Sequence, residues 1–292
     1  MSKVPQDRYI RIGDINTRYW VEGDKGSAVL LIHGLGGSVE NWALNVGHLS
    51  GHHRVYAMDL PGSGRSDKTP PIRSIYDLVS FVGDFMKVLQ IEKASFLGNS
   101  LGGGLVLQFA LQHPEKVEKL VLVDNAGIGR KVILDLRLCS VPLLGELLTR
   151  PSRKGTATLL KKIVYDPAIV TDDLVTLGYN LITLPGAQQA LLATLRAGIN
   201  LLGQRGNLTK SLLNKIGHIT TPALIIWGKQ DRILPLTHAY KCHECLPGSE
   251  IKIFDNCGHM PQLEHPDEFN ALVLRFLDRQ TEPTKQSVGT NA

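Results

Sequence analysis

Short apolar, β-branched runs separated by stretches of helical periodicity constrain this chain more than any other feature. Residues 28–32, 54–60, 94–97, 120–123, 222–227 and 250–254 are such runs, and most stop at a glycine or an aspartate. Between them lies at least one clear helical pattern, with Ile75, Leu78, Val79, Val82, Phe85, Met86 and Leu89 on one face. A second helix, 101–113, is closed by Pro114. Buried strands alternating with helices predict a largely parallel sheet covered on both faces. Residues 9–12 and 16–22 flank a turn at Gly13-Asp14 and add an N-terminal hairpin, for eight strands in all.

The alternation stops between residues 129 and 213. That stretch is leucine-rich and predicts helices at 132–139, 142–148, 155–164, 172–184 and 186–202, with no strand able to join the sheet. An all-helical insertion suggests a cap over one end of the sheet. Ligands bind at the carboxyl ends of strands in open α/β sheets, so a cap there would roof the site. The expected organisation is a core of 1–128 and 214–280, a cap of 129–213 and a flexible tail of 281–292.

Composition removes other classes. The chain has 292 residues, 43% of them hydrophobic, enough for a large core and against general disorder. Its net charge of +5 is not gathered into a basic tract, which argues against nucleic-acid binding. No apolar run approaches a membrane span. The polar start carries no secretory signal, and four unevenly placed cysteines make no disulfide scaffold, so a cytoplasmic setting is expected. Cys242-His243-Glu244-Cys245 could be a metal or redox pair, but residues 237–246 suit a helix in which cysteines three apart are ordinary. No metal or cofactor is expected.

The chemistry centres on Gly98-Asn99-Ser100-Leu101-Gly102. A strand runs into this segment and an apolar helix runs out. Such a turn needs glycine on both sides and leaves the serine hydroxyl exposed. The spacing of a dinucleotide fingerprint and a phosphate-binding lysine are both missing. A serine needs a base. His259 follows strand 250–254 and falls at the same sheet edge, with His33 as the rival. Asp231, just beyond strand 222–227, is the expected acid and completes the order Ser…Asp…His; Asp124 is the alternative. Asp59 is expected to pin the loop 61–67. The oxyanion donors are expected to be the N–H of Leu101 and that of Leu35, with Gly36 as the alternative to Leu35.

Together, H-G-L-G-G, D-L-P-G-S-G-R-S-D, G-N-S-L-G-G-G, W-G-K-Q-D-R and N-C-G-H-M-P-Q-L-E-H-P resemble the α/β-hydrolase superfamily, from the hairpin to about Asp278. Serine at the nucleophile position separates the chain from the haloalkane dehalogenases and epoxide hydrolases of that fold. Within the superfamily it is similar to the meta-cleavage-product hydrolases, through Asn99 and the segment Tyr165-Asp166-Pro167…Val170-Thr171-Asp172-Asp173-Leu174. Two departures stand out. The arginine that the group uses for the substrate carboxylate is missing near Thr176-Leu177-Gly178-Tyr179, with Arg196 as a substitute. Met260 replaces the usual tryptophan. The expected substrate contacts are Gly34, Gly36, Asn99, Arg196 and Met260. The resemblance implies a serine hydrolase of a small substrate; the missing arginine and the apolar cap favour a carboxylic ester. The alternative is a carbon–carbon bond hydrolase of 2-hydroxy-6-oxo-dienoates. A non-catalytic binding protein of the same fold and an acyltransferase are the remaining readings.

Overall fold

The computed structural model describes residues 4–68 and 72–279, so the expected tail from residue 281 lies outside the described residues. Strands β1 (Arg8–Ile12), β2 (Ile15–Glu22), β3 (Ala28–Ile32), β4 (Arg54–Met58), β5 (Ala94–Asn99) and β6 (Val117–Val123) come first. A two-residue ribbon follows, β7 (Ile199–Asn200) with β8 (Gly203–Gln204), and then β9 (Ala223–Gly228) and β10 (Glu250–Phe254). Eight of these form one sheet in the order β1-β2-β4-β3-β5-β6-β9-β10. Within that sheet, among the described residues, only the β1–β2 and β2–β4 pairs are antiparallel. The expected α/β-hydrolase architecture, an eight-stranded, mostly parallel sheet, is the one observed.

The pleat explains why these runs are apolar throughout. In β3, Leu30 and Ile32 join one core while Val29 and Leu31 join the other; in β9, Ile225 and Trp227 oppose Leu224 and Ile226 in the same way. A strand buried on both faces cannot alternate with polar residues. Helices Ile75–Val88 and Leu101–Gln112 cover the first face. Helix Pro266–Asp278 and the segment Val39–Leu49 cover the second.

Register sets the site. Ile32 pairs with Gly98, Asn99 with Val123, Val123 with Ile226, and Gly228 with Phe254. The chain therefore leaves β3, β5, β6, β9 and β10 at one edge. His33, Ser100, Asp124, Asp231 and His259 all follow these exits.

Between β6 and β9 no strand joins the main sheet. The helices there are Leu134–Cys139, Leu144–Leu148, Arg153–Ile163, Asp172–Ile182, Ala187–Gly198 and Gly206–Leu213. The helix expected over 186–202 is shorter than its leucines suggest. It ends at Gly198, and the chain turns back through the β7–β8 ribbon. Gly203 stands at φ +111° there, where an added Cβ would lie 2.0 Å from Arg130 O. A left-handed turn overrides the helical spacing.

One buried charge cluster was not foreseen. Arg18 is fully buried and meets Asp7, Glu40 and Asp59 at 2.6, 2.7 and 3.3 Å. Asp59 also accepts from the N–H groups of Val39 and Arg65, both at 2.7 Å, so it pins the loop after β4 as expected and the loop after β3 as well. Removing one member leaves buried charges uncompensated. Arg18→Met is expected to cost about 3–5 kcal/mol in urea unfolding; a loss under about 1 kcal/mol would show that the cluster is not holding these loops.

Candidate active site

Backbone strain builds the turn at Ser100. The residue stands at φ 54°, ψ −116°, directly before helix Leu101–Gln112. Its N–H donates to Val123 O (2.8 Å) and its carbonyl accepts from Ala126 N–H (2.9 Å), so both ends of the turn are held by β6 and the loop that follows it. No side chain fits on either flank. A Cβ on Gly98 would lie 2.5 Å from Gly102 O, and one on Gly102 2.2 Å from Ile32 O. The close approach of three main chains is what the glycines permit.

His33, the rival base, has both ring nitrogens engaged. Leu60 N–H donates to Nε2 (3.0 Å), which leaves Nδ1–H to donate to Gly34 O (2.7 Å). Burial lowers its pKa and holds the ring neutral. His33 thus fixes the loop that carries Gly34 and Leu35. Gly34 packs against Ser100: a Cβ there would be 3.0 Å from Ser100 Cβ. Leu35, Ser100 and Leu101 line one cavity. The first N–H groups of a helix have no partner within it and attract negative charge, and Leu101 opens its helix beside Ser100.

His259 sits on the loop after β10 and is buried. Its Nδ1–H donates to Asp231 Oδ2 at 2.8 Å, which places the lone pair on Nε2. The other oxygen of Asp231 accepts from the N–H groups of Ile233 (2.7 Å) and Leu234 (3.1 Å), so the carboxylate is fixed from two sides. Asn99, expected as a substrate contact, is instead a clamp. Its Nδ2 donates to Val123 O and to His259 O (3.2 Å), tying the residue before Ser100 to the imidazole-bearing loop.

Asp124, the alternative acid, is the neighbour of this pair rather than its replacement. It is fully buried, and the three groups Asp124, Asp231 and His259 lie within 4.8 Å of one another. Gly228 N–H donates to Oδ1 (3.0 Å), while no donor among the described residues reaches Oδ2. Burial first, and the adjacent Asp231 charge second, push its carboxyl well above the usual carboxylate range.

The cavity is lined mainly by apolar groups. The helices between β6 and β9 contribute Leu136 and Leu195, and Gln108, Thr194 and Arg205 add polar groups. Gly36 faces Leu191 of the helix above it, and Met260 is buried beside Gln262, so neither lines the cavity. Arg196 does not line it either. Both terminal nitrogens grip the carboxylate of Glu146 at 2.9 Å, and Nε donates to Ser140 O. Its long reach is consumed in joining two helices. The arginine at the cavity is Arg205, whose Nε donates to Arg196 O.

Glu264 was missed by sequence reasoning. Its carboxylate accepts from the N–H groups of Gly258 (2.9 Å), Met260 (3.1 Å) and Tyr165 (2.6 Å), and His259 N–H donates to Ile163 O (2.7 Å). The loop bearing His259 is thereby clamped to the inserted helices. The only local signal is a glutamate five residues past the histidine. Cys242 and Cys245 lie on helix Thr237–Cys245 as expected; burial pushes the Cys242 thiol up to about 12.

With this geometry in place, likeness to known proteins becomes informative. The family described as alpha/beta hydrolase fold matches residues 27–172 and 170–266. The chain belongs to the α/β-hydrolase family. It is 33% identical to the 2-hydroxy-6-oxononadienedioate/2-hydroxy-6-oxononatrienedioate hydrolase of Comamonas testosteroni, over 88% of this chain and 89% of that one. The meta-cleavage product hydrolase of Pseudomonas fluorescens IP01 superposes with a TM-score of 0.80 at 30% identity, covering 92% of this chain and 96% of that one. A serine hydrolase of the polyaromatic hydrocarbon-degrading bacterium Cycloclasticus zankles superposes at 0.83 with 25% identity, covering 94% and 98%. The hydrolase family, near its carbon–carbon bond-cleaving members, is thus the one the motifs resembled.

The Asp124 environment sets a pH dependence. In the unfolded chain this carboxyl loses its proton above about pH 4; in the folded protein the raised pKa retains it. The folded state then binds more protons than the unfolded state, so this group's contribution to stability falls as pH rises above about 4. Asparagine does not titrate. The melting temperature of Asp124→Asn relative to wild type is expected to increase from pH 4 to pH 7, and a flat difference would contradict the assignment.

Proposed function

We propose that the chain is a serine hydrolase that cleaves a carboxylic ester of a mainly apolar small substrate through an acyl-enzyme. The observation that carries the reading is the 2.8 Å bond from His259 Nδ1–H to Asp231, on a loop tied by Asn99 to the strained turn at Ser100.

The chemistry follows from the atoms. Nε2 of His259 takes the Ser100 proton as Oγ attacks the ester carbonyl. Asp231 holds the ring in the tautomer that keeps Nε2 basic and stabilises the imidazolium. The N–H groups of Leu101 and Leu35 receive the oxyanion, and each such donor is worth about 10²–10³ in rate. Imidazolium then protonates the departing alcohol. Water, deprotonated by the same nitrogen, attacks the acyl-enzyme, and the acid leaves as Ser100 regains its proton. Gly34 packing against Ser100 keeps the donor loop beside the nucleophile. The inserted helices act as a cap: their Leu136 and Leu195 supply the apolar wall that suits an acyl or alcohol group.

Carbon–carbon hydrolysis of a 2-hydroxy-6-oxo-dienoate is the second reading. It is favoured by likeness to the dienedioate hydrolase of Comamonas testosteroni and by Arg205 at the cavity, a cation able to hold a carboxylate. Turnover of a p-nitrophenyl acyl series beside a dienoate separates the two. Ester turnover is expected to dominate, to fall at least about 10³-fold in Ser100→Ala, and to stay within about twofold in Arg196→Ala, because Glu146 occupies that side chain. Dominant dienoate turnover that falls in Arg205→Ala would transfer the assignment to the second reading.

A further inference from the structure

The charge of this chain is not evenly spread. Residues 129–213 hold eleven Lys and Arg against five Asp and Glu, a net +6, while the other 207 residues hold 21 against 22. The whole excess therefore lies in the inserted helices. Three of the five acids are spent internally, Asp135 on Lys162, Glu146 on Arg196 and Asp172 on Arg153. Eight bases of the insertion, Arg137 and Arg150 among them, have no carboxylate partner among the described residues.

Exposed apolar surface gathers on the same stretch. Eight of the fourteen exposed large apolar side chains among the described residues belong to it. Six are leucines on elements that pack together: Leu134, Leu143, Leu147, Leu148, Leu201 and Leu202. Leu143, Leu147 and Leu202 are 84%, 68% and 69% exposed. Arg137 ties two of these segments together, its Nε donating from helix Leu134–Cys139 to Leu201 O at 2.8 Å. Leu143 stands at φ +67°, a conformation that glycine adopts freely and leucine does not. The backbone thus holds a large apolar side chain outward against its own preference.

We propose that this leucine-rich, basic face docks on the surface of an anionic lipid bilayer. Leucines entering the headgroup boundary and unpaired Lys and Arg beside them supply the two contributions that peripheral binding needs. A second copy of the chain fits less well, because it would bring +6 against +6. Among the described residues no helix is long and apolar enough to cross a membrane, so the contact is peripheral. Helix Leu134–Cys139 and the β7 strand also present Leu136 and Ile199 to the cavity. On the functional reading above, an acyl substrate could then pass from the bilayer to Ser100; the docking itself does not depend on that reading.

Co-sedimentation of the full chain with phosphatidylcholine vesicles, with and without one quarter phosphatidylglycerol, tests this. Binding is expected to be at least about tenfold tighter to the anionic vesicles and to weaken by a similar factor in 1 M salt. Leu143→Asp with Leu202→Asp, and separately Lys131→Glu with Arg150→Glu, should each reduce it about tenfold or more without lowering the melting temperature. Leu143→Gly should weaken binding several-fold while melting no lower than wild type. Ser100→Ala should bind as wild type, which separates docking from catalysis. Absent binding, equal binding to both vesicles, or variants that bind as wild type would overturn the proposal. So would a dimer dissolved by the double leucine variant, which assigns the face to a second copy. Equally tight binding of polyglutamate, insensitive to the leucine substitutions, would assign it to an acidic protein instead.

Discussion

The turn from β5 into helix Leu101–Gln112 is the constraint on which the rest depends. Three main chains meet there at distances that exclude a Cβ, and Ser100 stands at positive φ between them. Such strain persists only when the surroundings over-determine it. Here the surroundings are the sheet itself, through Val123 O and Ala126 N–H, and the two-faced cores that keep β5 and β6 in register. The strained conformation of Ser100 is thus a consequence of how a parallel sheet is packed.

Convergence at this edge is enforced by bonds between loops. Asn99 reaches the carbonyl of His259, Glu264 gathers the N–H groups on either side of it, and Ile163 O takes the N–H of His259 itself. Two of these partners tie the site to the inserted helices, because Glu264 also accepts from Tyr165. The insertion is therefore part of what positions the imidazole as well as a wall of the cavity. A change in the insertion that shifts Ile163 or Tyr165 would be felt at His259.

Much of this was legible in the residues and some was not, for a physical reason. Strands buried on both faces, a glycine-flanked serine, and a histidine and an aspartate placed just past strand ends are local patterns. They identified the family, and they placed Ser100, Asp231 and His259 past strand ends at one edge of the sheet. Partners chosen at long range leave no local trace. Arg196 has the helical position of a substrate-binding residue, yet Glu146, fifty positions away, holds its guanidinium. Asn99 and Met260 looked like substrate contacts by their neighbours in the chain, yet both point into packed surroundings. Arg18 sits in the buried middle of β2, where nothing nearby announces the three carboxylates that surround it. The overrun of helix Ala187–Gly198 has the same origin, since leucine spacing continues past the point where Gly203 and Arg130 force a reversal.

The central claim is that Ser100 is a nucleophile activated by His259 and Asp231. Reaction of the folded chain with a fluorophosphonate, followed by peptide mass spectrometry, addresses it without knowledge of the substrate. The account predicts one covalent adduct per chain, on Ser100, formed at a rate that falls at least about 10³-fold in His259→Ala. Folded protein that carries no adduct on Ser100, or that labels equally fast without the imidazole, would contradict it.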